Sequence, residues 1–172
     1  MIVVSDSTPL RYLVFIELEH VLPRLFGTVY APPEVVAELQ RSKNPILEPV
    51  RRWANSPPEW LVVREPTTVD ESLAQRLDRG ESEAISLAHD LKAEKLLIDE
   101  KRGRKVAKEM GIEIAGTLAV LEEAAVRGLI DIDQAVTKLK ATNYRATDKL
   151  YQSTIENVRV RKLAQERKMA RE

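Results

Sequence analysis

The sequence contains no cysteine. Disulfides and thiolate metal sites are therefore excluded, and the composition suits a reducing compartment. No apolar run is long enough to span a membrane. The first residues lack a basic segment leading into a long apolar one, so they do not read as a secretory signal. Together these absences predict a cytoplasmic protein with no membrane association. Charge of one sign is also lacking: 27 Lys plus Arg balance 27 Asp plus Glu, for a formal net charge of zero. Binding to nucleic acid must then come from local patches, not from the molecule as a whole. There is no Gly-rich phosphate loop and no nucleophile elbow. The two histidines, His20 and His89, stand in no ligand spacing with each other and read as ordinary helix residues. Repeats, low-complexity segments and hairpin signals are absent.

What is present is the material of one domain with a proper core: 172 residues, 44% hydrophobic and 31% charged. Short apolar runs alternate with amphipathic segments. Strands are expected at residues 2–4, 28–31, 60–63, 95–98 and 112–115. Ser7-Thr8-Pro9 reads as a helix start, with Leu10, Leu13, Val14, Ile16 and Leu18 on its apolar face. A short helix over 20–26 is entered or kinked at Pro23 and stopped by Gly27. Pro32-Pro33 opens another, with Val35, Val36 and Leu39 inward and Glu38 on the flank. Residues 42–58 are the least regular, with a short helix over 50–54. Further helices are expected at 69–77 and 81–92, separated by a break at 78–80. A basic helix over 102–110, helices over 118–127 and 131–140, and a long charged helix from 147 complete the chain. The alternation predicts an α/β fold, a three-layer α/β/α arrangement with a mainly parallel sheet plus C-terminal helices. The expected organisation is an α/β domain over 1–140 and a helical extension over 141–172.

Two strands end in acid: Ile2-Val3-Val4-Ser5-Asp6 and Lys95-Leu-Leu-Ile-Asp99-Glu100. Open α/β sheets bind ligands beyond the carboxyl ends of their strands, so these acids are candidates for one shared site. Each also has a plainer reading. Asp6 fits a metal ligand or a turn aspartate. Glu38 fits a ligand or a solvated helix flank. Glu81 shares a helix face with Ala84, Ile85 and Ala88, and an inward carboxylate needs a partner. That partner is a metal, or the capping box that Asp78-Arg-Gly-Glu81 spells, or both. Glu83 lies nearer the polar side. Asp99 follows the strand directly, and Glu100 points to the other side of an extended chain. Converging carboxylates call for a divalent cation, and hard oxygen ligands suit Mg2+ or Mn2+.

Taken in order, these pieces resemble the PIN-domain ribonucleases, the broad group that includes the VapC toxins of toxin–antitoxin pairs. The matching stretches are Val4-Ser-Asp6-Ser-Thr-Pro-Leu10, Pro32-Pro-Glu-Val-Val-Ala-Glu38-Leu, Gly80-Glu81-Ser-Glu83-Ala-Ile-Ser-Leu-Ala88 and Leu96-Leu-Ile-Asp99-Glu-Lys-Arg-Gly-Arg104. Gly116-Thr117 before an apolar helix matches as well. The resemblance covers about the first 130 residues and implies a PIN-like domain over 1–140. It implies that Asp6, Glu38, Glu81 and Asp99 hold one or two Mg2+ or Mn2+ ions and are the catalytic acids. Ser7 and Thr117 would support them as hydroxyl donors, with Glu83 a substitute for Glu81 and Glu100 a further acid near the site. The implied reaction is hydrolysis of an RNA phosphodiester by a metal-activated water, with no protein nucleophile. Lys101, Arg102, Arg104, Lys105 and Lys108 read as backbone-phosphate contacts or as a solvated helix face. Arg159, Arg161, Lys162, Arg167, Lys168 and Arg171, diluted by Glu156, Glu166 and Glu172, read as a solvated or partner-binding helix or as an RNA arm. An antitoxin protein and a homodimer are the partners the resemblance implies.

Two other readings compete. One is a PIN-like fold that binds nucleic acid or protein without cleaving. The other is a different α/β class. A phosphoacceptor receiver domain would need an acid pair after the first strand and a lysine after the last, and neither is found. A haloacid-type phosphatase would need an aspartate at position 8, which is threonine.

Overall fold

Five short apolar segments form one sheet in the computed structural model, which describes residues 1–172. They are β1 (Val3–Ser5), β2 (Val29–Ala31), β3 (Leu61–Val63), β4 (Lys95–Leu97) and β5 (Ile114–Ala115). The order is β3-β2-β1-β4-β5 and every pairing is parallel. Val3 and Val4 of β1, and Leu96 and Leu97 of β4, are fully buried. Parallel strands need cover on both faces. The intervening helices supply it, giving the three-layer α/β/α architecture expected from the alternation.

These helices are α1 (Ser7–Phe15), α2 (Val21–Phe26), α3 (Pro33–Arg41), α4 (Glu48–Asn55), α5 (Glu71–Arg76), α6 (Arg79–Asp90) and α7 (Lys101–Glu109). Three depart from the sequence reading. The first ends at Phe15, because the Leu18 N–H reaches back to Leu13 O at 2.8 Å and Glu17 takes a positive φ of 60°. This is the hydrogen-bond pattern of a Schellman stop, which Leu18 then leaves to pack inward. Second, α4 occupies much of the stretch read as irregular, because its proline falls in the first turn, where no N–H is needed. Third, α6 starts at Arg79, so Gly80 lies inside the helix and not in a break before it.

Residues 1–117 form one compact unit and 118–172 a second. The second consists of α8 (Thr117–Val126) beyond its first residue, α9 (Ile132–Lys140) and α10 (Asp148–Met169). Its interior is Leu121, Ala124, Ala125, Ala135, Leu139, Tyr151 and Val158. Arg161 fastens α10 to α8 through Glu122 at 3.1 Å and Glu123 at 2.6 Å. After Val158 every residue of α10 is exposed.

The strand order reverses between β1 and β4, which makes their carboxyl ends the switch point where α/β sheets open a crevice. Ser5 lies opposite Leu97 in the ladder, and the Asp6 N–H donates to Leu97 O at 2.9 Å.

Candidate functional site

Asp6 leaves β1 at that switch point and stands at the N-cap of α1. A capping aspartate normally accepts a hydrogen bond from the first turn. Asp6 makes no such bond, although its backbone (φ −75°, ψ 172°) is that of a cap. It is only 2% exposed, and its Oδ1 is buried with no hydrogen-bond partner. Burial pushes the Asp6 carboxyl well above the ordinary aspartate value, against the pull of the Ser7 backbone N–H. The neighbouring carboxylates Glu38, Glu81 and Asp78 push it further the same way.

The side chains around it form a cavity of about 430 Å3 lined by Asp6, Ser7, Thr8, Arg11, Glu38, Asp78, Glu81, Glu100, Lys101 and Arg102. Glu38 comes from α3, one turn beyond Val35 on the flank of the face that buries Val35, Val36 and Leu39. Burial raises its pKa, the Ser7 hydroxyl lowers it, and Asp78 and Glu34 raise it again. The start of α6 presses against this carboxylate: a methyl group on Gly80 would overlap it. Glycine inside a helix costs about 0.5–1 kcal/mol relative to alanine, and here it makes room for Glu38.

Glu81 forms the capping box that the sequence spells and also lines the cavity. The capping box is complete: the Glu81 N–H donates to Asp78 Oδ1 at 2.8 Å, and the Asp78 N–H donates to Glu81 Oε2 at 3.2 Å. Both carboxylates of the box nonetheless line the cavity, and Glu81 is 3% exposed. Burial raises the Glu81 pKa, with Asp78 and then Glu100 adding to the rise and Arg102 opposing it. Glu83 is elsewhere, bonded to Arg79 Nε at 3.1 Å.

The end of β4 sends its two acids in different directions. Asp99 accepts the Thr117 N–H on Oδ1 at 2.9 Å and the Thr117 hydroxyl on Oδ2 at 2.6 Å. A methyl group on Gly116 would come within 2.8 Å of both Asp99 Oδ1 and a guanidinium nitrogen of Arg104. Asp99 is not among the cavity's lining residues, and Glu100 is. Glu100 is the N-cap of α7 and, like Asp6, makes no side-chain cap bond. Of the basic residues expected to meet phosphate, Lys101 and Arg102 line the cavity, Arg104 sits beside Asp99 and Gly116, and Lys105 is exposed on α7.

Three residues of the cavity carried no site role in the sequence reading: Thr8, Arg11 and Asp78. Asp78 was legible only as a helix cap. Arg11 had a signal that went unused, since it is the only charged residue in Ser7–Phe15.

Asp6, Asp78 and Glu100 are the N-caps of α1, α6 and α7, so three helices begin at the cavity. The partial positive charge at helix N-termini favours anions there. It does not supply the Asp6 Oδ1 with a bond. A buried, unpartnered carboxylate oxygen among three further carboxylates fits a hard divalent cation such as Mg2+ or Mn2+. No three acidic or histidine side chains already close on one point at ligating distance. Glu81 is held by its capping box and Asp99 by Thr117, and like charges oppose closer approach.

An all-parallel α/β sheet with an acidic cavity at its switch point is the class that fold and site together define. A family model described as a PIN domain matches residues 2–159, and the chain belongs to the PIN-domain family. PIN domains are generally nucleases and typically use divalent metal ions. No curated protein matches the sequence. No helix of the chain is long and apolar enough to cross a membrane.

Proposed function

We propose that this chain is a metal-dependent endoribonuclease that hydrolyses RNA phosphodiester bonds. The observation that carries this reading is the buried, unpartnered Oδ1 of Asp6 in a carboxylate-lined cavity, within a chain of the PIN family. Asp6, Glu38 and Glu81 would hold Mg2+ or Mn2+. The fourth acid comes from the end of β4, where Glu100 faces the cavity and Asp99 braces the strand end through Thr117. When bound, such an ion would supply Lewis acidity to activate water and to offset charge on phosphoryl oxygens. Ser7 positions Glu38, and the capping box positions Glu81. Lys101 and Arg102 lie at the rim, where they would meet the RNA backbone. The cavity has no Ser-His or Cys-His pair, so the lining residues suit a water and not a side chain as nucleophile.

The finer form of the proposal is the toxin of a toxin–antitoxin pair, acting in the cytoplasm as a homodimer. Its support is the family resemblance and the apolar side chains Val160, Leu163 and Met169 that α10 exposes, which suit a protein partner.

The test is cleavage of a fluorescently labelled single-stranded RNA with Mg2+ or Mn2+, and again with EDTA. Cleavage should need the metal and fall on the order of a hundredfold in Asp6→Asn. Cleavage that persists unchanged in EDTA would remove the metal from the mechanism.

A further inference from the structure

The cavity is not purely acidic. Arg11, Lys101 and Arg102 share it with five carboxylates, yet none of the three makes an ion pair or a hydrogen bond. For Lys101 and Arg102, both exposed, this is unremarkable in energy, because water solvates them. Arg11 is different. It is half-buried in the second turn of α1, one turn beyond Ser7 on the same helix face. A guanidinium does not lose its proton in a protein, so it cannot escape partial burial by neutralising. Chains normally pair such a group, and Glu34, Glu48, Glu83, Glu123 and Glu156 are all paired with arginine here. Arg11 lies near enough to Glu38 to lower its pKa, but it keeps all its donors uncommitted.

We infer that Arg11 is a phosphate-positioning residue, whose guanidinium binds a nonbridging oxygen of an RNA phosphodiester in this cavity. The inference rests on the proposed nuclease reading and adds to it the group that orients the substrate. Planar guanidinium donors match two phosphoryl oxygens at once, which a lysine ammonium does not. Arg11 belongs to α1, and Lys101 and Arg102 belong to α7, so the cations reach the cavity from the helices that follow β1 and β4. A backbone crossing the switch point would meet cations from both helices, with the carboxylates in the same cavity. The N-termini of α1 and α7 start there too and favour the same charge.

The experiment uses the full chain and two substitutions, Arg11→Gln and Arg11→Lys. Binding of a fluorescein-labelled single-stranded RNA is read by anisotropy at several salt concentrations with Mg2+ present, in an Asp6→Asn background that keeps the RNA intact. Cleavage kinetics are measured without that background substitution. Arg11→Gln should weaken binding about tenfold or more. It should also reduce the magnitude of the slope of log affinity against log salt by about 0.7, the value for one phosphate contact on a single strand. KM should rise more than kcat falls. Arg11→Lys should restore the salt slope but only part of the affinity. An unchanged salt slope and affinity in Arg11→Gln would overturn the inference. So would a loss in Arg11→Gln that Arg11→Lys fails to recover in slope, since that marks a structural role. If the parent chain cleaves no RNA, the nuclease reading fails, while the binding arms still decide whether Arg11 holds phosphate.

Discussion

At the scale of single residues, Asp6 is unusual in what it forgoes. It has the position and backbone of a helix cap, makes no cap bond, and leaves one oxygen buried without a partner. A buried carboxylate oxygen without a partner costs the empty fold stability. Asp6→Asn should therefore stabilise the metal-free chain. The amide keeps the shape, removes the charge and can donate to neighbouring carboxylates. The gain should be about 2–4 °C in Tm for each 1 kcal/mol relieved, read by thermal unfolding in EDTA. A lower Tm for the variant would mean that the Asp6 charge is already compensated. The two acids after β4 make a second residue-scale test. Glu100→Gln should weaken Mn2+ binding more than Asp99→Asn does. The reverse order in a titration would return the fourth ligand position to Asp99.

At the scale of elements, the site depends on how close the helices come to it. Gly80 lets the first turn of α6 lie against Glu38. In Gly80→Ala the added methyl displaces the far end of a flexible glutamate, so the fold should tolerate it. Helix propensity alone would even add about 0.5–1 kcal/mol. The expected signature is a Tm near or above that of the parent with Mn2+ affinity reduced, read by unfolding and titration on the same sample. Thr117 acts differently, since its hydroxyl bonds the Asp99 carboxylate at the end of β4. Thr117→Val keeps the volume and loses that bond. It should cost about 1.5–3 kcal/mol, visible as a lower denaturation midpoint.

The elements themselves were legible because their signals are local. Short apolar runs such as Ile2-Val3-Val4 and Leu96-Leu97-Ile98 marked the strands, and the i, i+3, i+4 spacing of Leu10, Leu13 and Val14 marked α1. Asp78 and Glu81 spelled the capping box outright. What sequence spacing could not deliver was orientation after a strand has ended. Alternation puts Asp99 and Glu100 on opposite sides, but not which side is the cavity. β4 stops at Leu97, the chain turns into α7, and the Thr117 hydroxyl takes Asp99. Arg11 was missed for a related reason. A lone arginine in an apolar helix reads as its solvated edge, and only the position of α1 beside the switch point shows that this edge faces a cavity.

At the scale of the whole molecule, a net charge of zero hides a local excess of negative charge at one point of the sheet. Asp6, Glu38 and Glu81 all have pKa values raised in the fold, above those of the unfolded chain. The folded state then holds more protons than the unfolded state in the pH range between the two sets of values. Linkage makes stability fall as pH rises through that range. The metal-free chain should lose stability from the ordinary carboxylate range upward to the raised values, as these three groups ionise in the fold. Saturating Mg2+ or Mn2+ should flatten the loss, because a ligand of the folded state stabilises it in proportion to its binding. A Tm that rises with pH over the same window in EDTA would contradict the charge arrangement described.

The most direct measurement is calorimetric titration of Mn2+ into the intact chain at neutral pH, beside the same titration into Asp6→Asn. Saturable binding to the parent chain is expected, weakened about tenfold or more in the variant. Absence of saturable binding to the parent chain, or equal affinity in the two proteins, would contradict a metal site at Asp6.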